Sequence, residues 1–201
     1  MGKIVTFTHV TLDGVMQAPG RPDEDTRGEF GFGGWEVRYG DEVMASVAAQ
    51  GMATGSALLF GRRTYEDFYG FWPNQPQPNP FTDVLNRSQK YVASRTLKEP
   101  LPWENSSLLR GEVGEAVAEL KASSKKDFVV LGSGDLIETL MRHGLIDEYT
   151  VLIHPLVLGT GRRLFADNGP AATLRLVDSK ITTTGVIIAT YHPTHPTERT
   201  G

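Results

Sequence analysis

The sequence predicts a three-layer α/β fold, in which a mixed, mainly parallel sheet is flanked by helices. Short apolar segments rich in β-branched residues alternate with segments of helical periodicity along most of the 201 residues, as in strands joined by crossover helices. Two of these segments, 57–60 and 128–131, are continuously apolar, which is typical of strands buried on both faces. The last third adds two strand patterns, at 174–178 and 185–191, which predict an antiparallel pair at the end of the sheet.

The amino-terminal part predicts a strand, a long loop and a helix. Residues 3–11 are rich in β-branched side chains and end at the turn dipeptide Asp13-Gly14. Residues 17–40 contain six glycines and two prolines without periodicity, which favours a functional loop, with a disordered excursion as the alternative. Apolar residues then recur at one-turn spacing across 41–52, which predicts a helix.

The remaining elements follow from the same patterns. The four prolines of 72–80 predict a rigid connector, and Gly144 is the predicted stop of the last helix. The other predicted helices begin near Thr64, at Glu112 and after Gly134, and the other predicted strands cover 90–94 and 148–154.

Composition narrows the class of protein. A hydrophobic content of 39% in 201 residues suits one domain, which we expect over 1–192 with a frayed tail over 193–201. The 20 basic and 24 acidic residues argue against nucleic acid as a partner. Cysteine is absent, which excludes disulfides and thiolate chemistry. We find neither a signal-peptide layout nor an apolar run of about 18 residues, so we expect a cytoplasmic protein without a membrane partner.

Two glycine turns are the strongest chemical signal. The first glycine turn, 61–64, and the second glycine turn, 132–136, each follow a buried strand and open a helix. A helix N-terminus offers free backbone N–H groups and a positive dipole end, and both suit phosphate. Two such turns in one sheet suit a ligand with several phosphates, such as a dinucleotide, although an ordinary turn is the alternative at each place.

Standard catalytic motifs are missing from the sequence. The second glycine turn lacks the third glycine of G-x-G-x-x-G because position 137 is Ile, and no G-x-x-x-x-G-K-[ST] loop is present. The five histidines show no metal-ligand spacing, so no metal site is predicted. The segment 159–165, with Arg162 and Arg163, predicts either a structural turn or a surface for an anionic substrate.

Several segments, taken in order, carry a resemblance to a known family. They are Thr11-Leu12-Asp13-Gly14-Val15-Met16, Phe60-Gly61-Arg62-Arg63-Thr64-Tyr65-Glu66, Val92-Ala93-Ser94-Arg95, 130–136 and 154–161. Together they span 3–191 and resemble the dihydrofolate reductase-like superfamily. The most similar branch contains the reductase domain of the bifunctional riboflavin-biosynthesis deaminase-reductase, the RibD C-terminal domain.

The resemblance implies that NADPH is the hydride donor. In the family, both glycine turns hold phosphates of the cofactor, and a Ser-Arg pair after the next strand contacts the region of the adenosine 2′-phosphate. The implied cofactor-binding residues are Met16, Gly61, Arg62, Arg63, Thr64, Ser94, Arg95, Gly132, Ser133, Gly134, Asp135 and Leu136.

The substrate end departs from the folate-reducing members of the family. Their acidic residue in the first helix corresponds to Ala45, and its threonine partner corresponds to Leu152. Asp13 is the candidate catalytic residue, with a structural turn role as the equal alternative. The candidate substrate-binding residues are Gln17, Tyr65 and Arg162.

These observations predict an NADPH-dependent oxidoreductase that transfers a hydride to a small, pterin- or pyrimidine-like heterocycle. The alternatives are 5-amino-6-(5-phosphoribosylamino)uracil reductase of riboflavin biosynthesis, dihydrofolate reductase, and a non-catalytic nucleotide-binding module. The riboflavin role requires a separate deaminase, since the H-x-E and P-C-x-x-C signature does not occur in the sequence. We expect a homodimer, in which the apolar run 156–158 contributes either to the interface or to the core.

Overall fold

The computed structural model describes residues 1–194 and contains one eight-stranded sheet. Its strands, in chain order, are β1 (Ile4–Thr11), β2 (Ala57–Gly61), β3 (Lys90–Ala93), β4 (Ser106–Leu109), β5 (Phe128–Leu131), β6 (Glu148–His154), β7 (Leu174–Ile181) and β8 (Ile187–Pro193). Their order across the sheet is β4-β3-β2-β5-β1-β6-β8-β7. The first six strands in this order, from β4 across the sheet to β6, are parallel to one another, whereas β8 is antiparallel to both β6 and β7. The predicted mixed, mainly parallel sheet is confirmed. Of the tail predicted at 193–201, residues 195–201 lie outside the described part of the chain.

Helices cover both faces of the sheet. They are α1 (Glu42–Ala53), α2 (Arg62–Phe71), α3 (Pro80–Arg87), α4 (Val113–Ser123) and α5 (Gly134–Arg142). Alternate residues of β2 face opposite layers, as the period of a strand requires. Leu59 packs in the cluster that includes Val117 of α4 and Ile137 of α5, while Phe60 packs with Tyr65 of α2 and Leu85 of α3. The three layers predicted from the sequence are therefore present.

Two elements were not predicted. Helix α3 begins at Pro80, at the end of the proline-rich segment, and Asn79 caps it by accepting hydrogen bonds from two backbone N–H groups. Proline is compatible with the first turn of a helix because no intrahelical partner is lost there. Strand β4 is a short, half-buried edge strand that pairs with β3, so it lacks the apolar pattern of the central strands.

The long loop between β1 and α1 is packed against the body of the protein. Phe30 and Trp35 are buried together with Val15 and Ala18, and the Trp35 indole donates a 2.8 Å hydrogen bond to the carbonyl of Gln17. The alternative of a disordered excursion at 17–40 is therefore wrong. In the run 156–158, Leu156 and Leu158 pack against this cluster.

Lys90 is a buried charge at the junction of α3 and β3. It is fully buried, and its ammonium group donates hydrogen bonds to the carbonyls of Leu85 (2.7 Å), Asn86 (3.3 Å) and Ser88 (2.7 Å). The same group lies 4.7 Å from the centre of the Trp103 ring. Lys90 thus pairs the carbonyl groups that the end of α3 leaves open.

Replacing Lys90 by Met should lower the free energy of unfolding at pH 7 by about 1–3 kcal/mol, because buried carbonyls lose their donor. Burial lowers the pKa of folded Lys90 to about 8, below its ordinary value of 10.5. Between these values the unfolded chain binds the proton and the folded chain does not, so the stability of the wild type relative to Lys90→Met should rise from pH 8 towards pH 10. Urea unfolding across this range tests both effects. The exposed Lys125→Met is the control, and a pH-independent difference would contradict the assignment.

Candidate functional site

One large cavity lies against the sheet face that carries α1, α2 and α3. Its volume is about 1560 Å³, and its wall includes the loop 17–40, the inward face of α1 and both glycine turns. Pockets for one drug-sized ligand typically measure about 300–1,000 Å³. The cavity therefore has room for a dinucleotide and a second, smaller molecule.

The two helices that begin at this cavity lack a side-chain cap, in contrast to the other three. Asp41, Asn79 and Glu112 cap α1, α3 and α4 by accepting hydrogen bonds from first-turn N–H groups. Gly61 and Ser133 stand at the N-cap positions of α2 and α5, and neither makes a capping hydrogen bond from its side chain. Both helix ends lie in the cavity wall. They leave donors and a positive dipole end available to an anion.

The second glycine turn has a conformation that few sequences accept. Gly132 and Ser133 both have positive φ, at 58° and 62°, and such a left-handed conformation is common for glycine but not for serine. The Ser133 hydroxyl accepts a 2.9 Å hydrogen bond from the Gly61 backbone N–H and donates one of 2.9 Å to Thr64 Oγ1. This hydroxyl fixes the two glycine turns relative to each other.

Space in this turn is also limited. A Cβ atom added to Gly134 would lie 2.9 Å from the Met16 sulfur, which is closer than such atoms approach. The Met16 side chain is flexible and could move aside, so this contact shows that Met16 packs on the start of α5 but does not by itself require glycine.

Arginines surround the first glycine turn. Arg62, Arg63 and Arg95 are exposed and lie in the cavity wall. Arg62 donates to Thr96 Oγ1 at 2.6 Å and pairs with Glu66 at 3.2 Å. Strands β2 and β3 are neighbours in register from Leu58 to Gly61, which brings the residues following each strand to the same edge of the sheet.

The structure brings together every residue that the family resemblance assigned to the cofactor. All of them lie in the wall of this cavity: Met16, Gly61, Arg62, Arg63, Thr64, Ser94, Arg95, Gly132, Ser133, Gly134, Asp135 and Leu136. Gln17 and Arg162, assigned to the substrate, are in the wall as well. Tyr65 is not: it is buried in the core, and its hydroxyl accepts a 3.1 Å hydrogen bond from the Trp103 backbone.

Asp13 lies in a turn outside the cavity wall. Its carboxylate accepts hydrogen bonds from the Thr11 hydroxyl (2.5 Å), the Gly159 N–H (2.8 Å) and the Leu158 N–H (3.2 Å). The Thr11 hydroxyl, supported by these backbone groups, holds the pKa of Asp13 below its ordinary value. These contacts favour the turn role over proton donation, because the acid form is disfavoured.

The loop 17–40 brings carboxyl groups to the cavity that sequence patterns did not single out. Glu24 of this loop lies in the wall beside Asp67 of α2, and burial raises the pKa of each above its ordinary value. Glu24 accepts hydrogen bonds from the Gly20 N–H (2.8 Å) and the Arg21 N–H (3.2 Å), and the Arg21 guanidinium pairs with Asp67. A carboxyl group with a raised pKa is suited to proton transfer near neutral pH.

Helix α1 contributes no carboxyl group to this wall within the described residues. Its wall residues are Val47, Ala48, Gln50, Gly51 and Met52. Ala45 is exposed, and Asp41 is used to cap the helix and to accept from Thr183 at 2.7 and 2.8 Å. Leu152 is fully buried in the core beneath α1. The pterin-binding acid of folate reductases therefore has no counterpart on this helix.

A second group that the sequence did not reveal consists of His9, Glu36 and His154. The Nδ1 atom of His9 lies 3.1 Å from Nε2 of His154 and also contacts the Glu36 carboxylate. Burial, followed by the nearby His9, lowers the pKa of His154 to about 4, so this histidine is neutral at pH 7. Burial opposes ionisation of Glu36, but the contact with His9 outweighs it and holds the pKa of Glu36 below its ordinary value.

The fold and this cavity define an α/β protein with its pocket at the carboxyl ends of parallel strands. The model of the RibD C-terminal domain family matches residues 2–188, and the chain belongs to that family. The uncharacterised protein YyaP of Bacillus subtilis (strain 168) is 31% identical over 194 residues, which is 94% of either chain.

Solved structures agree on the fold. A pyrimidine reductase-like protein of Corynebacterium diphtheriae matches with a TM-score of 0.65 and 12% identity, over 96% of this chain and 92% of that one. Dihydrofolate reductase of Enterococcus faecalis matches with a TM-score of 0.59 and 14% identity, over 96% and 98%. The resemblance predicted from the sequence is thereby confirmed. No helix in the described part of the chain is long and apolar enough to cross a membrane.

Replacing Ser133 by Ala should lower the free energy of unfolding by about 1–2 kcal/mol, because the partly buried Gly61 N–H loses its acceptor. Ser133→Gly suits the positive φ and also lacks the hydroxyl, so it separates loss of the hydrogen bond from backbone strain. Urea denaturation measures both variants against Ser123→Ala, an exposed serine at the end of α4. Equal stability of all three variants would contradict a linking role for Ser133.

Proposed function

We propose that the protein is a reductase that uses NADPH to reduce a small heterocyclic substrate. The observation that carries the proposal is the pair of uncapped helix ends, α2 and α5, which open into one cavity beside exposed arginines. Helix caps are worth about 1 kcal/mol each. Of the five α-helices described, only α2 and α5 lack a capping side chain. Phosphate oxygens that took the place of this side chain would explain the difference.

The residues present fit a dinucleotide phosphate. Gly132, Ser133 and Gly134 of the second glycine turn offer consecutive backbone N–H groups without a bulky side chain, which suits a pyrophosphate. Arg62, Arg63 and Arg95 lie in the same wall. Guanidinium groups bind phosphate through paired hydrogen bonds, and only NADPH, not NADH, offers a 2′-phosphate to them.

The two ligands would divide the cavity between them. When bound, NADPH supplies the hydride. The glycine turns and arginines bind and orient its phosphates, while Gln17 is fixed by hydrogen bonds from its amide to the carbonyls of Asp25 (3.1 Å) and Arg27 (2.9 Å). The substrate space lies between the loop 17–40, the residues Phe7 and His9 of β1, and the apolar face of α1. Phe7, Val47 and Met52 give this wall an apolar part that suits the face of a flat ring.

Glu24 is our candidate for the group that delivers a proton to the substrate. It lies in the wall of the substrate space, and burial raises its pKa. A raised pKa shifts the carboxyl group towards the protonated form that a general acid requires. Neither Asp13, which is held as a carboxylate, nor α1, which lacks an acid in the wall, offers this chemistry.

Reduction of a pyrimidine of riboflavin biosynthesis is the second candidate. Family membership and the likeness to a pyrimidine reductase-like protein support it. The wall also contains Arg162, whose guanidinium pairs with Asp135 and would have to exchange that partner for a ribose phosphate. Reduction of dihydrofolate is disfavoured by the lack of an acid on α1.

The protein should bind NADPH with micromolar affinity and NADH more weakly. In the double variant Arg62→Ala plus Arg95→Ala, the affinity for NADPH should fall by about 10²- to 10⁴-fold, since charged hydrogen bonds to phosphate are worth about 1.5–3 kcal/mol each and each 1.4 kcal/mol is a factor of ten. The affinity for NADH should change little. Calorimetric titration of the full chain gives all four constants.

The matched control is Arg110→Ala, an exposed arginine paired with Glu99 away from the cavity. It should bind both nucleotides like the wild type. Lack of binding by any nucleotide would overturn the reductase proposal. Tight NADPH binding without oxidation across pterin, pyrimidine and carbonyl acceptors would instead favour a non-catalytic nucleotide-binding module.

Replacing Glu24 by Gln should lower kcat/KM for the accepted substrate by about 10²–10⁴-fold, which is the usual contribution of general acid catalysis. In the wild type, kcat/KM should fall as the pH rises through the raised pKa of Glu24, because the acid form is lost. The variant should lack this decline, whereas NADPH affinity should stay unchanged. Glu29→Gln, in the same loop but outside the cavity wall, is the control; an unaltered pH profile in Glu24→Gln would contradict the assignment.

A further inference from the structure

The cluster of His9, Glu36 and His154 brings three metal-ligating atoms into one small volume. Nδ1 of His9, Nε2 of His154 and a carboxylate oxygen of Glu36 all lie within 4.8 Å of one another. The Nδ1–Nε2 separation is 3.1 Å. Two ligands of a tetrahedral zinc ion, each about 2.0–2.1 Å from the metal, are separated by about 3.3 Å. The observed spacing of the two nitrogens is close to that value, whereas the contact between Glu36 and His9 is shorter and would have to lengthen when an ion binds.

Hydrogen bonding alone does not satisfy these three atoms. The two ring nitrogens face each other, so at most one of them can carry a proton without a clash of two N–H groups. The Glu36 oxygen contacts Nδ1 of His9, but this contact is not a hydrogen bond of normal geometry, and the buried oxygen has no other partner among the described residues. A buried carboxylate oxygen without a hydrogen bond is costly. One cation would accept a lone pair from all three atoms at once.

The surroundings suit a bound ion. His154 is fully buried, and the side chains of His9 and Glu36 are 19% and 24% exposed. The rings of Trp35 and Tyr39 stand edge-on to the His154 ring at 5.1 and 5.4 Å. These rings shield one side of the cluster from water, and a low local dielectric strengthens the attraction between a cation and a carboxylate.

We propose that His9, His154 and Glu36 bind one divalent transition-metal ion with the ligand preferences of Zn²⁺. Two imidazole nitrogens and one carboxylate oxygen are a ligand set of catalytic zinc sites, which keep a further position open. His9 and Glu36 line the cavity, so the open position is accessible to water or to a substrate oxygen or nitrogen. An ion there would polarise that substrate atom. Spacing along the sequence does not reveal the site, because each ligand comes from a different segment: β1, the loop 17–40 and the end of β6.

Calorimetric titration of the chelator-treated full chain with Zn²⁺ tests the proposal directly. We expect one ion per chain, and a loss of affinity of at least about tenfold in His9→Ala and in Glu36→Gln. Titration with Co²⁺ should give the visible absorption of a four- or five-coordinate ion in the wild type and not in the variants. Mg²⁺, which prefers oxygen ligands, should not bind at this site.

The control is His192→Ala, which removes another histidine paired with a glutamate, Glu148, at 3.1 Å. It should bind Zn²⁺ like the wild type. Urea unfolding of each variant establishes that it is folded, and for this reason the test uses partly exposed His9 and Glu36 rather than the fully buried His154. Lack of saturable binding, or equal affinity in wild type, His9→Ala and Glu36→Gln, would overturn the proposal.

The result is separable from the proposed reductase function. NADPH titration of the same metal-free protein measures the dinucleotide site, which shares none of the three ligands. NADPH binding without Zn²⁺ binding would reject the metal site and leave the reductase proposal intact. Zn²⁺ binding without NADPH binding would support the metal site and reject the reductase proposal.

Discussion

The geometry of the cavity depends on the hydroxyl group of Ser133. Strands β2 and β5 are parallel neighbours, so the sheet places their carboxyl ends side by side but does not fix the turns that follow. The Ser133 hydroxyl accepts from the Gly61 N–H and donates to Thr64, and this ties the start of α2 to the start of α5. Ser133 adopts a left-handed backbone conformation to do so, which is unfavourable for serine. The hydrogen bonds of its hydroxyl group to Gly61 and Thr64 offset this cost. The consequence is that two helix dipoles meet at a fixed separation in one wall.

The lack of a capping side chain at α2 and α5 lowers the stability of the fold, whereas the ends of the other helices are paired. The other three helices are capped by Asp41, Asn79 and Glu112, and the carboxyl end of α3 is paired by buried Lys90. The two α-helices without a capping side chain are those that begin at Gly61 and Ser133 in the cavity wall, where a charged ligand can pair their free N–H groups. That distribution is expected of a binding site rather than of a poorly formed helix.

Much of the fold could be predicted from the sequence because its central strands are buried on both faces and are continuously apolar. The glycine turns were recognisable for a related reason, since only a backbone constraint explains glycine between a buried strand and a helix. Prediction failed where local patterns are ambiguous. Proline hid the start of α3, and the half-buried β4 has no clear period. Tyr65, a predicted substrate-binding residue, directly follows the first glycine turn, but the helical period of α2 places it in the core. The cluster of His9, Glu36 and His154 required the pairing of β1 with β6, which no spacing along the chain expresses.

Under the proposed function, the loop 17–40 would supply the carboxyl group that folate reductases carry on their first helix. The loop contributes Glu24 and Glu36 to the cavity wall, whereas α1 contributes no carboxyl group within the described residues. The loop is held by Gln17, whose side-chain oxygen accepts a 2.9 Å hydrogen bond from the Arg162 backbone. Arg162 in turn pairs with Asp135 in the first turn of α5. Arg162 is therefore the one residue between Asp135 and the loop. A phosphate that displaced Asp135 from Arg162 would act on the loop through Arg162, and so would a phosphate that moved α5. Under the proposed function, these direct contacts would connect binding at the dinucleotide end with order at the substrate end, so that the bound cofactor would help to order the space for the second ligand.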